Sequence, residues 1–293
     1  MVELPNLFII GAPKCGTTAL ASWLSIHPEI FAPATKEPHH FSAEYCLTSL
    51  SLDYKKLYQN WSCNEKWAID ASVWYLHSPT AVPNILAAQP DARFIVLLRS
   101  PLQMIPSMHQ QQVLNGNELE NDLVKALSLS DKRIEGEGLA VSDGYPPEHL
   151  AYFRSCALGW QIERLLRLVD TDRVHFILHE ELERSPEHIL RNVYKFLKLT
   201  PKMPKAFERI NEGSARRYPW LDRIAKSLGD LKHRSGINFR LGILSWLRRV
   251  NRVKRKRNPL DKKQVNEVAR RLSSDVSLLG ICIKRDLSCW LDN

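Results

Sequence analysis

Two glycines, Gly11 and Gly16, enclose four residues in the stretch "FIIGAPKCGTTAL", Phe8 to Leu20, and hydroxyls follow at Thr17 and Thr18. A glycine loop of this rhythm, set between an apolar run and a helical pattern, turns backbone N–H groups and a helix N-terminus toward an anion. In an ATPase-type phosphate loop, lysine stands directly after the second glycine, beside a hydroxyl that holds magnesium. Here Thr17 occupies that place and the lysine, Lys14, lies inside the loop. Lys14, Cys15, Gly16, Thr17 and Thr18 are therefore the candidate anion-binding set. The alternative is an ordinary strand-to-helix turn. A second cation, Arg99, closes the run "RFIVLL" where a magnesium-binding aspartate would stand in a nucleotide hydrolase. A cation at that strand end suits a second anionic group and calls for no metal.

Proton transfer needs a different kind of residue. Glu37, in "KEPHHF", is a candidate acid or base, or half of a surface ion pair with Lys36. His39, His40 and His109 fall near the same region and suit either proton transfer or a structural hydrogen bond. Trp74, Tyr75, Tyr152 and Trp160 can stack on a sugar or adenine, or simply pack the core. The six cysteines show no C-x-x-C pair, so neither a zinc site nor a disulfide framework is indicated.

Short branched runs must position these groups. "LFII", "WAID", "RFIVLL" and "VHFIL" read as buried parallel strands, each alternating with a helical pattern. The helix in "SPEHILRNVYKFLKL" begins with a cap at Ser185 and Pro186 in the first turn, and puts Ile189, Val193, Phe196 and Leu197 on one face. Alternation of this kind predicts an α/β fold with a central parallel sheet flanked by helices in three layers. The 293 residues are read as a single domain. Residues 127–147 are polar and are expected to form a loop or lid. Residues 219–258 read as a basic helical insertion, and 261–293 as a C-terminal helix packing back on the domain.

A formal charge of +9 favours anionic partners: nucleotides, acidic glycans, nucleic acid or a membrane surface. Within the basic segment, Phe239, Ile243, Trp246, Leu247 and Val250 share a helical face ringed by arginines. That stretch, 239–257, could touch a membrane or polyanion, or cover the domain with its charges in water. No apolar run approaches bilayer length and no basic leader precedes the first strand, so the chain reads as cytoplasmic.

Taken together, "IIGAPKCGTTAL" resembles the 5′-phosphosulfate loop of sulfotransferases that use 3′-phosphoadenosine 5′-phosphosulfate (PAPS). "FIVLLRSPLQMIPSMHQ" resembles their 3′-phosphate motif, with Arg99, Pro101 and Ser107 in place. "KEPHHF", "NEGSARRYPWL" and "LLGICIKRDLSCW" extend the resemblance over nearly the whole chain, toward the heparan-sulfate and bacterial carbohydrate branch. It implies a P-loop-like fold, PAPS as co-substrate and no metal. It further implies in-line sulfuryl transfer to a hydroxyl or amine of a carbohydrate or other hydroxylated metabolite. Lys14 would stabilise the leaving oxygen and Glu37 would act as base. Arg216, Arg217, Tyr218 and Pro219 match a clamp on the adenosine and 3′-phosphate, with Ser214 where some relatives carry lysine. Ala71 precedes Ser72 where eukaryotic heparan members often carry lysine. Two other readings stay open on the residues alone. One is a divergent nucleotide kinase or NTPase, and the other a non-catalytic nucleic-acid binder using the basic patch 248–257.

Overall fold

The computed structural model describes residues 4–45, 53–62, 64–137, 145–207 and 260–292, with the backbone of 214–216 and 252–254. Strand β1 (Leu7–Gly11) is buried along its whole length, as a strand covered on both faces must be. It lies at the centre of a five-stranded parallel sheet with β2 (Ile30–Phe31), β3 (Trp67–Ala71), β4 (Arg93–Leu98) and β5 (Val174–Leu178), in the order β2-β3-β1-β4-β5. Phe8 sits opposite Asp70 on one side and Phe94 on the other, and Ile95 faces His175. The four apolar runs of the sequence are thus four of the strands. The fifth, β2, has two residues and no periodicity that could announce it.

This order makes the chain leave β1 for the edge strand β2, come back inward to β3 beside β1, and cross to the other side of β1 as β4. Such a reversal opens a crevice beyond the carboxyl ends of the strands, the usual ligand edge of an α/β sheet. Helix α1 (Thr17–Leu24) follows β1, and α2 (Tyr54–Leu57) and α3 (Ala81–Ala88) flank β3. Helix α4 (Pro101–Asn115) follows β4, with Pro101 in its first turn, where no backbone donor is needed.

The polar stretch expected as a loop or lid departs from that expectation in part. Helices α5 (Leu123–Ser128) and α6 (Ser130–Ile134) run into it, and Arg133 on α6 is fully buried. Its Nη2 donates to Glu118 Oε1 at 2.8 Å, its Nη1 donates to the Leu150 carbonyl at 3.0 Å, and Tyr152 donates to Glu118 Oε2 at 2.9 Å. A charge paired with Glu118 and bonded at both terminal nitrogens can be tolerated in the interior, which a polar reading of sequence cannot foresee. Residues 138–144 lie outside the described residues.

Helices α7 (Tyr152–Cys156) and α8 (Leu158–Leu166) lead to β5, which is followed by α9 (His179–Arg184) and α10 (Pro186–Phe196). Ser185 does stand at the N-cap of α10, yet its hydroxyl makes no capping bond; Pro186 in the first turn and the buried face of Ile189, Leu190 and Val193 set the helix. The last helix, α11 (Lys262–Ile283), has a capping box in which Asp261 Oδ1 accepts Gln264 N–H and Gln264 Oε1 accepts Asp261 N–H, each at 2.8 Å. It buries Val265, Val268, Leu272, Val276 and Leu279. Asp275 on this helix reaches back to accept the N–H groups of Gly159 and Trp160 at 2.8 and 2.9 Å, capping the first turn of α8.

Most of the basic segment 219–258 lies outside the described residues. Residues 252–254, which the helical pattern assigns to a helix, instead form β7 (Arg252–Lys254), antiparallel to β6 (Ser214–Arg216). Pairing with a strand distant in sequence satisfies the backbone there, and a local periodicity cannot register that partner. Among the described residues no helix is long and apolar enough to cross a membrane. Cys15, Cys156, Cys282 and Cys289 are free thiols.

Candidate active site

The loop from Ala12 to Gly16 turns directly off the end of the central strand. Gly16 ends it at φ 99°, in the left-handed region, and a Cβ there would lie 2.7 Å from Leu182 Cδ2. Gly16 also brings no side chain to cap α1, so the first-turn N–H groups of Thr17 and Thr18 keep their outward donors. Thr17 is buried and Thr18 half-buried. Cys15 contributes backbone to the loop. Burial pushes its thiol up to about 12 against the nearby Arg99 charge, and its Sγ–H points to the Pro13 carbonyl at 3.4 Å.

Lys14 and Arg99 meet at this loop. Lys14 Nζ donates to Gln111 Oε1 on α4 at 3.0 Å, while Arg99, at the end of β4, donates from Nη1 to the Lys14 carbonyl at 2.9 Å and from Nε to Gln103 Oε1 at 3.2 Å. Arg99 is 6% exposed, so its charge acts in a partly dehydrated setting where Coulomb attraction is strong. Ser107, about two helical turns along α4, is buried and its Oγ has no hydrogen-bond partner. A buried orphan hydroxyl costs free energy unless a ligand or water meets it, which fits an anionic oxygen held on this face.

His179, the first residue of α9, completes the loop from the β5 side and was not among the residues singled out in the sequence. Its Nδ1–H donates to the Cys15 carbonyl at 3.1 Å. Burial, then the Arg99 charge, push its pKa down. The available signal was position alone: a histidine immediately after the apolar run "VHFIL" lies at the ligand edge of the sheet.

Glu37 stands on a turn tied to the end of β3 by its own N–H, which donates to the Ala71 carbonyl at 3.2 Å. Glu37 and His39 have φ 61° and 51°, a conformation that costs a non-glycine residue roughly 1–2 kcal/mol. The turn keeps it because neighbours over-determine it. His39 N–H donates to Ser72 Oγ at 3.2 Å, Phe41 N–H donates to the Tyr75 hydroxyl at 3.2 Å, and His40 stacks on Tyr54 with ring centroids 4.0 Å apart. Lys36 Nζ lies 2.6 Å from Glu37 Oε1, and His39 Nε2 lies 3.6 Å from Oε2. Burial by itself would raise the Glu37 carboxyl, but His39 and Lys36 outweigh it and hold it down to about 2. With 38% of its side chain exposed, the carboxylate is ionised and reachable.

Other sequence candidates take structural places. His109 Nε2 bonds the Glu120 carbonyl at 2.9 Å and secures the chain after α4. Trp74 is buried face to face with His149, centroids 3.6 Å apart, and Tyr152 is committed to Glu118. Tyr75 donates to Asp70 Oδ2 at 2.9 Å. Trp160 is exposed on α8 with the guanidinium groups of Arg154 and Arg164 at 5.5 and 4.7 Å from its ring. Of the expected clamp, Arg216 is placed by its backbone in β6, and Arg217 and Tyr218 lie outside the described residues. Among the described residues, no group of three or more His, Cys, Asp or Glu is arranged to hold a metal.

Comparison with known proteins bears on this geometry. The chain is 25% identical over 218 residues to a bifunctional heparan sulfate N-deacetylase/N-sulfotransferase 1 of Caenorhabditis briggsae, covering 69% of this chain and 23% of that protein. It is 29% identical over 259 residues to human carbohydrate sulfotransferase 15, covering 69% of this chain and 45% of the relative. The chain thus spans about a quarter and under half of the lengths of these two relatives. In fold it is similar to a sulfotransferase from Alicyclobacillus acidocaldarius, with a TM-score of 0.72 at 24% identity and 99% of both chains covered. A mouse sulfotransferase solved in complex with PAP gives a TM-score of 0.52 at 15% identity, over 96% of this chain and 87% of that one. The Sulfotransferase domain model matches residues 4–268, which takes in the glycine loop, Arg99 and the Glu37 turn, and the chain belongs to the sulfotransferase family.

Proposed function

We propose that the protein is a PAPS-dependent sulfotransferase that moves a sulfuryl group to a hydroxyl or amine of a carbohydrate or another hydroxylated metabolite. The observation that carries this reading is the placement of two anion-binding sets and one ionised carboxylate at the ends of three adjacent strands: Lys14 and the first-turn amides of α1 after β1, Arg99 after β4, and Glu37 beside β3. Bound there, PAPS supplies a sulfuryl group already activated by its phosphate leaving group. Lys14, with the N–H groups of Thr17 and Thr18, neutralises the charge that collects on the phosphate oxygen. Arg99 and the orphan hydroxyl of Ser107 hold the 3′-phosphate, a set to which the sequence resemblance adds Arg216, Arg217 and Tyr218.

Glu37 accepts the proton of the acceptor. A carboxyl held to about 2 is a weak base while Lys36 and His39 both face it. An acceptor hydroxyl that displaces Lys36 Nζ from Oε1 relieves one of those pairings, leaving burial to raise the carboxyl as the proton arrives. The site is therefore ionised at rest and becomes more basic when engaged. The carbohydrate acceptor is supported by relatives that are themselves named as heparan sulfate and carbohydrate sulfotransferases. The free thiols suit a reducing, cytoplasmic setting.

The kinase and NTPase alternative loses its footing, because Arg99 occupies the strand end that a magnesium-binding acid would need. The nucleic-acid reading rests on 248–257, of which only the backbone of 252–254 is described. Calorimetry with PAP and PAPS, followed by mass spectrometry of a desulfated glycosaminoglycan pool and a phenolic and sugar metabolite pool after incubation with PAPS, tests the proposal. PAP binding together with a product one sulfuryl group heavier is expected; absence of PAP binding would sink it.

A further inference from the structure

Asp70 has no role in nucleotide binding, yet it is a fully buried carboxylate that takes three hydroxyl donors. Ser72 Oγ donates to Oδ1 at 2.7 Å, and Tyr54 and Tyr75 donate to Oδ2 at 2.7 and 2.9 Å. Each of the three then supports the turn that carries Glu37. Ser72 Oγ accepts the His39 N–H, the Tyr75 hydroxyl accepts the Phe41 N–H, and the Tyr54 ring lies flat against His40, 6° from parallel. The carboxylate itself sits on β3, whose last residue, Ala71, takes the Glu37 N–H.

A hydroxyl carries one proton. If Ser72 and Tyr75 give theirs to Asp70, their oxygens are left facing the turn as pure acceptors, which is what two backbone N–H groups require. The carboxylate thus sets the polarity of both bonds. Without it, those hydroxyls can rotate, and the left-handed conformations at Glu37 and His39 lose what over-determines them.

We infer that Asp70 is a positioning residue for the reaction: through Ser72, Tyr54 and Tyr75 it orients the Glu37 turn, so that Lys36 and His39 bracket the carboxylate that receives the acceptor proton. This rests on the proposed role of Glu37, but the arrangement can be tested without any acceptor. The carboxyl is not itself a proton carrier, being enclosed by its three donors and 0% exposed. All three of its partners are side-chain hydroxyls, not backbone groups of the sheet. Burial raises this carboxyl and its three hydroxyl donors pull against that, and an acid kept fully buried at this point is explained by the turn above it.

The test uses Asp70→Asn in the whole 293-residue chain, which keeps side-chain shape but places an N–H donor where two hydroxyl protons point. Three readouts apply: amide hydrogen exchange, 13C NMR titration of the Glu37 carboxyl, and calorimetry with PAP. We expect the amides of Glu37, His39 and Phe41 to exchange about tenfold faster, the loss of roughly one hydrogen bond, with Phe8 and Ile95 in the sheet unchanged. The Glu37 titration should move from about 2 toward its ordinary 4.5 as Lys36 and His39 lose their fixed placement, while PAP affinity stays within about twofold. Tyr75→Phe, which removes one donor to Asp70 and the acceptor for Phe41 but keeps the ring, should give the same pattern at smaller amplitude. That variant decides the matter should Asp70→Asn not fold. Unchanged turn amides with an unchanged Glu37 titration would overturn the assignment, as would sheet amides rising in step with those of the turn. Whether Glu37 is the base is read separately, from the turnover of Glu37→Gln, so either idea can fail while the other stands.

Discussion

The Arg99 guanidinium donates to the backbone carbonyl of Lys14 across 2.9 Å, joining two motifs that stand 85 residues apart in sequence. Arg99 therefore fixes the loop and, in the proposed function, also offers its charge to one end of the anionic ligand. His179 braces the same loop one residue later, at the Cys15 carbonyl. The end of β4, the end of β5 and the loop after β1 form one unit.

Arg99→Ala is expected to weaken PAP by about 1.5–3 kcal/mol, the cost of losing a hydrogen bond made by a charged group. Adenosine 5′-phosphosulfate, which lacks the 3′-phosphate, should lose less, retaining only the part of the effect that comes from the loosened loop. Parallel calorimetry of the two ligands checks this; equal losses would assign Arg99 wholly to the loop.

Gly16→Ala places a side chain at φ 99°, and the added methyl group meets Leu182, whose flexible end can yield. Backbone strain of roughly 1–2 kcal/mol then dominates, lowering the melting temperature by about 2–8 °C for a chain of this size. PAP affinity should fall as well, because the strain distorts the first turn of α1. Thermal melts with and without PAP separate the two effects, and a variant as stable and as tight as the wild type would contradict the loop geometry.

Glu37→Gln should leave PAP affinity nearly unchanged and reduce turnover by roughly 10²–10⁴ on a verified acceptor. The pH dependence follows from the depressed carboxyl. Its folded value of about 2 lies below the ordinary 4.5, so its pairings stabilise the fold above about pH 4.5 and that contribution fades as pH falls toward 2. In the free enzyme the acid limb of kcat/KM assigned to Glu37 should therefore lie below pH 4.5, and should vanish in the glutamine variant. A limb near neutrality that survives the substitution would point to a histidine instead.

PAP should bind equally well in EDTA. The argument is the chemistry of the strand end, where the Arg99 cation takes the position a metal-binding acid would need, with Lys14 and backbone N–H groups to neutralise the 5′ side. Calorimetry before and after chelation measures it. Loss of affinity on chelation would require a metal the donor set does not suggest.

Gly159→Ala tests how α11 docks. A Cβ at Gly159 would meet the Asp275 carbonyl oxygen at 2.1 Å, a backbone atom that cannot move aside by rotating a side chain. Overpacking of this kind costs about 1–3 kcal/mol or more, and the N-cap that Asp275 gives α8 would be pushed away with it. Denaturant unfolding should show a lower midpoint with PAP affinity preserved at saturation of the folded protein. An unchanged midpoint would mean that the two helices are not held this close.

Much of the geometry of the proposed phosphate-binding half was legible from residue order. A glycine pair, the lysine between them and a strand-end arginine act through backbone geometry and the sheet edge, and both are local consequences of a strand leading into a helix. The branched runs made four of the five strands readable for the same reason, since burial on both faces imposes a continuous apolar composition. The two-residue β2 left no such imprint. The strand at 252–254 was hidden by a helical pattern, because its pairing partner at 214–216 is remote.

What the residues could not declare was everything set by contacts across the chain. "WAIDASVWYL" identified a strand, but that Asp70 gathers Ser72, Tyr54 and Tyr75 beneath the Glu37 turn depends on side chains converging from β3, the turn after it and α2. Glu37 beside Lys36 read equally well as a surface ion pair; folding added His39, which together with Lys36 outweighs burial and holds the carboxyl ionised. Arg133, polar in a polar stretch, became interior only because Glu118 and the Leu150 carbonyl were brought to it. Local sequence determines which backbone shapes form, since those depend on neighbours within a turn or a strand. Burial, ionisation and the pairing of distant donors and acceptors depend on distances that exist only once the sheet has closed.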